Sequence, residues 1–159
     1  MALDDERLTL VGLLIESSAA VRSQLDKQLV RDTGLSLRSF ELLLRLARSP
    51  GRHLRMSDLA ARADLTPSGL TRAVDRLEQA GLVARKPCPS DGRGAYTALT
   101  PAGLEMLRSA IEPHLDHIER CVTGVLTAEE QAQLTTLLRK VRDHVNPAAV
   151  GAIPVGPVT

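Results

Sequence analysis

Short polar and cationic side chains recur on one side of a predicted helix that follows Thr66. They are Ser68, Thr71, Arg72, Asp75 and Arg76. Hydroxyl groups near a helix start can hydrogen-bond base edges and phosphates in the major groove of DNA, and an arginine one turn later can bind guanine through two N–H groups. The pattern therefore predicts a surface that reads duplex DNA. For an isolated helix, a merely solvated face would be the simpler interpretation.

The flanking residues define the helix that would present this face. Thr66 and Pro67 form a helix start, because the threonine hydroxyl can cap free N–H groups and proline already has a helical φ. Gly81 is the predicted stop, since glycine enters the left-handed conformation at low cost. Between them an apolar stripe recurs with helical spacing and predicts the buried side: Leu70, Ala73, Val74 and Leu77.

A basic hairpin is predicted directly after this helix. Its strands are Leu82 to Pro87 and Ala95 to Leu99, joined by the loop CPSDGRG. Asp-Gly turn chemistry in this loop puts Arg93 at or near the tip. A cation there is suited to a narrow, electronegative minor groove. Arg85 and Lys86 add two more cations on the first strand, and all three are predicted to contact DNA.

A short helix at 57–63 precedes the polar helix, and the connection Asp64-Leu65 is tight. Two helices joined in this way form a helix-turn-helix unit whose second helix is the reader. Ser57 and Thr66, at the two helix starts, can offer backbone N–H groups to phosphate. Residues 53–55 are predicted to add a third strand to the hairpin, so the whole resembles a winged helix.

Four further helices are predicted around this unit. They span 5–31, 37–48 after a Ser36 cap, a long segment after Thr100-Pro101, and a final segment opened by a capping box at 127–130. Pro113 should kink the long helix or break it. The fold class is mainly α with a small β-hairpin wing, an α+β winged helix-turn-helix.

The first and the last two long helices are more apolar than a small winged-helix core can cover. We therefore expect them to pack against the same helices of a second copy in an obligate homodimer. The expected organisation is an N-terminal dimerisation helix at 1–35, a DNA-binding region at 36–100, C-terminal dimerisation helices at 101–146 and a poorly ordered tail at 147–159.

Charge is unevenly distributed along the 159 residues. The net charge is only +1, but residues 31–93 carry 12 Lys and Arg against 7 Asp and Glu. A basic surface of this kind can dock on phosphate in a protein that is nearly neutral overall. No apolar run is long enough to span a bilayer and no signal peptide pattern is present, which predicts a cytoplasmic protein without membrane contact.

Enzymatic function is not indicated, because no phosphate-binding glycine loop, nucleophile elbow or Ser-His-Asp constellation is present. No cofactor is expected. A purely structural helical dimer is the other alternative, but it would not need a polar helix face and a basic wing. Salt-dependent binding to duplex DNA distinguishes these classes.

Two sensing alternatives remain open. His114, His117 and Cys121 are zinc-ligand types at i, i+3 and i+7, with Glu112, Asp116 or His53 as a possible fourth ligand. The simpler interpretation is a partly exposed helix face near the dimer seam, so no metal site is assigned. Cys88 lies near several cations that favour a thiolate, although an inert cysteine is the simpler interpretation there as well.

The order of parts resembles the multiple antibiotic resistance regulator (MarR) family. The resemblance covers about residues 8–145 and is carried by SDLAARADLTPSGLTRAVDRLEQAGLV, by the wing SDGRGAYTALT and by the following LTPAG. Its most specific parts are the run at Asp75–Val83 and the pair Asp91 and Arg93. Family wings often carry a second arginine where this chain has Gly94.

The resemblance implies a homodimer that binds a pseudo-palindromic operator and represses transcription by occluding a promoter. It also implies that Asp91 orients the wing by pairing with Arg72 or Arg93. Family members often bind small aromatic acids in a cleft between the dimer helices and the winged helix. Four residues are candidates to line such a cleft here: Arg22, Arg38, Arg45 and His53.

Overall fold

The computed structural model describes residues 4–63, 65–87 and 95–147. These residues form helices α1 (Glu6–Thr33), α2 (Leu37–Ala47), α3 (Met56–Ala63), α4 (Pro67–Gln79), α5 (Pro101–Cys121) and α6 (Ala128–Val145), and strands β1 (His53–Arg55), β2 (Val83–Pro87) and β3 (Ala95–Leu99). Single 3-10 turns lie at Pro50–Arg52 and Thr123–Val125. Within these ranges no helix is both long and apolar enough to cross a membrane. The tail beyond residue 147, expected to be poorly ordered, lies outside the described residues.

Side-chain caps fix where the helices begin, as the sequence predicts. The hydroxyls of Ser36, Thr66 and Thr100 each accept an N–H from the first turn of α2, α4 and α5. Thr127 and Glu130 form the predicted capping box at the start of α6. Each cap satisfies donors that the helix itself leaves open, so the boundaries follow from local chemistry.

The core lies where α2, α3 and α4 meet the end of α1 and the middle of α5. Its fully buried apolar members are leucine and valine, including Leu29, Leu43, Leu59, Leu70 and Val74. Phe40 is buried as well, and the chain holds no tryptophan. Aliphatic side chains on helix stripes therefore pack α2, α3 and α4 against α1 and α5.

The three strands form one antiparallel sheet in the order β1-β3-β2, which confirms the third strand predicted at 53–55. Leu54 pairs with Thr97 and Arg85 pairs with Thr97 from the other side. Leu54 and Thr97 are buried, so this row faces the core. Neighbouring residues alternate outward, with Tyr96 between Arg55 and Lys86.

Helix α5 begins in direct contact with the turn that follows α4. The Thr100 hydroxyl donates to the Gly81 carbonyl at 2.7 Å, and the Thr100 N–H donates to the Leu82 carbonyl at 3.1 Å. A Cβ on Gly103 would lie 2.1 Å from the Leu82 carbonyl oxygen, so only glycine permits this approach. The turn that ends α4 is thereby fastened to the first turn of α5.

The break considered at Pro113 does not occur, because α5 is continuous from Pro101 to Cys121. Proline removes one backbone N–H from a helix interior, and the remaining turns of this 21-residue helix hold it together.

Large apolar side chains remain exposed along α1 and α6. On α1 they are Leu8, Leu10, Val11, Leu13, Leu14, Ile15 and Val30, and on α6 they are Leu134, Leu137, Leu138, Val141 and Val145. Those of α6 recur at gaps of three and four, which puts them in one stripe. The described residues of the same chain leave both the α1 residues and the α6 stripe exposed.

Candidate nucleic-acid interface

Helix α4 has two distinct sides. Leu70, Ala73, Val74 and Leu77 are buried against the core, whereas Ser68, Thr71, Arg72 and Arg76 are exposed. Pro67 occupies the first turn and is exposed beside the Thr66 cap. Because α3 packs on α4, the pair forms the helix-turn-helix that the sequence predicts. Its polar side is open along the first two turns.

Two exposed side chains of α4 donate hydrogen bonds only to backbone carbonyls of the same helix. The Thr71 hydroxyl donates to the Pro67 carbonyl at 2.9 Å, and Arg76 Nε donates to the Arg72 carbonyl at 3.3 Å. Both are weak local bonds to the same helix and can be replaced by bonds to base edges. The Arg72 side chain makes no hydrogen bond or ion pair with any residue that the structure describes. Within the described residues the charge of Arg72 is therefore unpaired.

Arg85 joins α4 to the first wing strand. One guanidinium nitrogen donates to Asp75 and another to Glu78, both at 2.5 Å. The backbone N–H of Arg85 donates to Glu78 Oε1 at 2.9 Å. This backbone bond is the main reason why the pKa of Glu78 lies below its ordinary value. The three residues, which we call the Arg85 clamp, fix the orientation of the wing relative to α4.

The strand pleat separates the two neighbouring cations of β2. Arg85 lies on the inner face and binds α4, whereas Lys86 lies on the outer face and is exposed. Asp75 and Arg85, both predicted to contact DNA, therefore bind each other. Their contact with DNA stays a prediction.

The other predicted contacts fall at the edges of this surface. Ser57 is exposed in the first turn of α3, beside the strand end at Arg55. Asp91, Arg93 and Cys88 lie outside the described residues, as do the wing tip and the predicted pairing of Asp91. Strands β2 and β3, which lead to that tip, are in place.

Sequence reasoning missed two residues next to this surface, Arg55 and Glu78. Arg55 Nε donates to the Tyr96 hydroxyl at 3.3 Å, and its guanidinium carbon lies 5.6 Å from the centre of the Tyr96 ring. Only the sheet register brings residues 55 and 96 together. Glu78 was within the motif that carried the resemblance, but its partner was not evident until β2 was placed.

Of the three residues on α5 that were considered as zinc ligands, His114 has a different partner. His114 is buried against Phe40, with ring centres 4.7 Å apart, and its Nδ1 lies 2.7 Å from Gln28 Oε1. The Gln28 amide nitrogen donates to Asp32, so the glutamine oxygen accepts and Nδ1 carries the proton. Burial lowers the pKa of His114, and nearby His117 lowers it further. Among the described residues no three His, Cys, Asp or Glu side chains are close enough to hold a metal ion.

The four candidate effector residues have different surroundings. His53 packs edge-on against Tyr96 in the sheet, with ring centres 5.0 Å apart, and Arg38 is exposed at the start of α2. Arg22 pairs with Glu41 at 3.5 Å. Burial lowers the pKa of Arg45, which lines a groove of about 180 Å³ with Glu41, Leu44 and Arg48.

A helix-turn-helix with an exposed polar recognition face, clamped to a basic wing, defines a winged helix-turn-helix DNA-binding protein. Comparison with known proteins agrees with this class. Residues 33–94 match the model of the MarR family. The chain is 31% identical over 144 residues to the transcriptional regulator PecS of Dickeya dadantii, covering 90% of this chain and 86% of PecS.

Two further relatives agree. The transcriptional repressor Rv2887 of Mycobacterium tuberculosis is 33% identical, covering 81% of this chain and 90% of Rv2887. Sco3205 of Streptomyces coelicolor, a MarR family regulator solved in complex with DNA, is 38% identical with a TM-score of 0.84, covering 95% of this chain and 94% of Sco3205. The chain belongs to the MarR family of transcriptional regulators. It is a DNA-binding regulator and not an enzyme.

Proposed function

We propose that this protein is a homodimeric repressor that binds a pseudo-palindromic operator, with α4 in the major groove and Arg93 in the adjacent minor groove. The observation that carries the proposal is the open polar side of α4, with the exposed cation Arg72, held against β2 by the Arg85 clamp. Its similarity to the repressor Rv2887 favours repression.

Each polar residue of the surface has a role in this proposal. Ser68, Thr71, Arg72 and Arg76 reach base edges and nearby phosphates, because they lie on the open side of α4. Helix starts at Ser57 and Thr66 offer backbone N–H groups to phosphate. Residues 36–100 then form the DNA-binding region, between dimerisation helices at 1–35 and 101–146.

A second copy is the partner that suits the exposed apolar side chains of α1 and the exposed stripe of α6. Leu137 is 61% exposed and Val145 is 70% exposed, which a stable monomer rarely tolerates along a whole helix face. A two-fold dimer would also set two copies of α4 about one DNA turn apart, roughly 34–36 Å. The same symmetry requires an operator with two inverted half-sites.

A small aromatic acid is the effector class that we propose, with Arg45 as the residue that binds its carboxylate. Arg45 is half-buried, Arg62 adds a second positive charge nearby, and Glu41 is the one carboxylate in the lining of the groove. An acid that binds beside Glu41 would add a second negative charge to this cluster and so reduce the repulsion between Arg45 and Arg62. Salicylate should release operator DNA from the wild type and not from Arg45→Gln.

The decisive experiment is selection of binding sites from a random duplex library with the full chain. We expect enrichment of a two-fold symmetric site whose half-sites lie about one helical turn apart. Absence of any enriched sequence, with weak binding at physiological salt, would overturn the proposal. Arg93→Ala should bind the selected site more weakly without a change in dimerisation. An unchanged affinity would show that Arg93 does not contact DNA.

A further inference from the structure

A cavity of about 610 Å³ lies between the last turn of α1 and the middle of α5. Its volume is in the range of pockets that bind small organic molecules. Apolar side chains form one part of the wall, namely Val30 from α1 and Met106, Ala110 and Pro113 from α5. This cavity, which we call the α1–α5 cavity, shares no lining residue with the groove at Arg45. The two are therefore separate places on the chain.

Pro113 leaves a backbone acceptor without its usual donor at this wall. In a regular α-helix the N–H of residue 113 donates to the carbonyl of residue 109. Proline has no N–H, so the Ser109 carbonyl lacks that donor, although α5 continues to Cys121. Ser109 and Pro113 both line the α1–α5 cavity. The missing helix bond therefore lies at the cavity wall, where a ligand can supply the donor.

The end of α1 supplies further acceptors. A helix leaves its last carbonyls without partners inside the helix. The N–H groups of Leu35 and Leu37, which follow α1, donate to the side chains of Thr33 and Asp26, at 3.1 and 2.8 Å. Among the described residues no hydrogen bond is made to the last three carbonyls of α1, those of residues 31–33. These residues line the cavity as well.

Asp32 adds a carboxylate that its neighbours hold in place. Its Oδ2 accepts from the Gln28 amide at 2.8 Å, and its Oδ1 accepts from Arg31 Nε at 2.7 Å. Gln28 is fixed in turn, because its amide oxygen lies 2.7 Å from His114 Nδ1. The hydrogen bond from Arg31, followed by that from Gln28, keeps the pKa of Asp32 below its ordinary value. Asp32 is therefore ionised at neutral pH.

The sum of charges at the cavity is negative. Arg31 is the one cation among the described lining residues, and its largely exposed side chain is already paired with Asp32. That pair sums to zero, whereas the carboxyl end of a long helix such as α1 acts as about half an elementary negative charge. A ligand that suits these groups has N–H donors, a positive charge and an apolar body.

We propose that the α1–α5 cavity binds a small organic cation. Its amidinium or ammonium group donates to the carbonyls of Ser109 and of the α1 end and to Asp32, and its apolar body packs on Met106 and Ala110. An aromatic acid, the effector class proposed for the groove at Arg45, is disfavoured here by the same acceptors. The inference does not rest on the proposed function, because this binding needs no DNA.

Isothermal titration calorimetry of the full chain without DNA tests the site with a matched pair of probes. Benzamidine and benzamide have the same ring and nearly the same size, but only benzamidine is charged at neutral pH. Hydrogen bonds to a charged group change affinity by about tenfold or more. We expect benzamidine to bind at least about tenfold more tightly than benzamide. Equal affinities, or no binding of benzamidine, would overturn the proposal.

Charge variants locate the bound probe. Asp32→Asn keeps the shape of the side chain and removes its charge, so benzamidine should bind about tenfold more weakly. Asp58→Asn is the matched control, because Asp58 is exposed on α3 and does not line the cavity; it should bind benzamidine as the wild type does. Arg45→Gln should also leave this affinity unchanged. A wild-type affinity for Asp32→Asn would show that the cation binds elsewhere and would overturn the site.

Pro113→Ala tests the role of the helix carbonyl. Alanine restores the N–H at residue 113 and is much the better helix residue, so the melting temperature should rise. The restored N–H also occupies the Ser109 carbonyl, and benzamidine should then bind about two- to tenfold more weakly. A higher melting temperature with unchanged affinity would show that Pro113 has only a structural effect and would remove the Ser109 carbonyl from the proposed site. If benzamidine binds as expected but no duplex is bound, the proposed function fails and the cation site stands.

Discussion

Replacement of Arg85 by methionine tests whether Arg85 binds α4, while Lys86, the neighbouring cation of β2, contacts DNA. If Arg85 clamps α4 to the wing, Arg85→Met should lower both thermal stability and DNA affinity. Its salt slope, the slope of log K against log salt concentration, should stay unchanged, because two carboxylates already neutralise the charge of Arg85. A phosphate contact would behave in the opposite way, with a slope smaller by about 1.8 per dimer and an unchanged melting temperature.

The expected magnitude follows from the exposure of the pair. The side chain of Arg85 is 30% exposed and that of Asp75 is 46% exposed, so solvent screens their attraction. Ion pairs of this type contribute about 0.2–1 kcal/mol, and a change of 1 kcal/mol moves the melting temperature of a chain of this size by about 2–4 °C. We therefore expect Arg85→Met to melt about 1–4 °C below the wild type.

A double-mutant cycle isolates the pair. Asp75→Asn, Arg85→Met and the double variant should show a coupling free energy of about 0.5 kcal/mol in thermal or urea unfolding. Lys86→Met is the matched control, since it removes a cation from the next position but on the other face of the strand. It should change the salt slope and leave the melting temperature unchanged. Zero coupling together with a reduced salt slope for Arg85→Met would refute the clamp.

Three further predictions concern other parts of the chain. Arg72→Ala should cost about 1–3 kcal/mol of operator binding and relax sequence preference at one base pair; equal weakening on every sequence would instead assign Arg72 to phosphate. The pKa of buried His114 lies below its ordinary value of 6.5, so the unfolded chain takes up this proton first and the free energy of unfolding should fall as pH drops through 6.5. His114→Gln should flatten this decline between pH 7.5 and 5.5 in thermal melts, and an identical slope would show that His114 does not carry it. Leu137→Lys, in the exposed stripe of α6, should shift the dimer toward monomer in sedimentation velocity, whereas Thr136→Lys on the opposite side should not; a dimer unaffected by Leu137→Lys would exclude this stripe from the interface.

Local chemistry made most of the fold predictable. Threonine-proline starts at residues 66 and 100 and the capping box at 127–130 each specify a helix end within a few residues. Helical spacing identified the buried stripe of α4 correctly, because the stripe depends only on residues within one element. The polar face opposite followed from the same periodicity.

Long-range pairing explains what the sequence could not reveal. Arg85 and Lys86 are adjacent cations, and only the register with β3 decides which one faces α4. His114 contacts Gln28, which is 86 residues away in the sequence. Its spacing to His117 and Cys121 suggested metal ligands, but this contact places the His114 ring in the core. Arg55 and Tyr96 are 41 residues apart, and no pattern in the sequence indicated that they are in contact.

The close approach of Gly103 to Leu82 couples the movement of α5 to that of α4. Because α5 is fastened to the turn after α4 without a side chain between them, a tilt of α5 must carry the recognition helix with it. A helix of 21 residues is about 31 Å long, so a tilt of about 5° moves its far end by nearly 3 Å. That displacement approaches the rise of one base pair, about 3.4 Å. In the proposed dimer, a small rotation where the two copies meet would therefore put the two recognition helices out of phase with the proposed half-sites while each winged helix kept its shape.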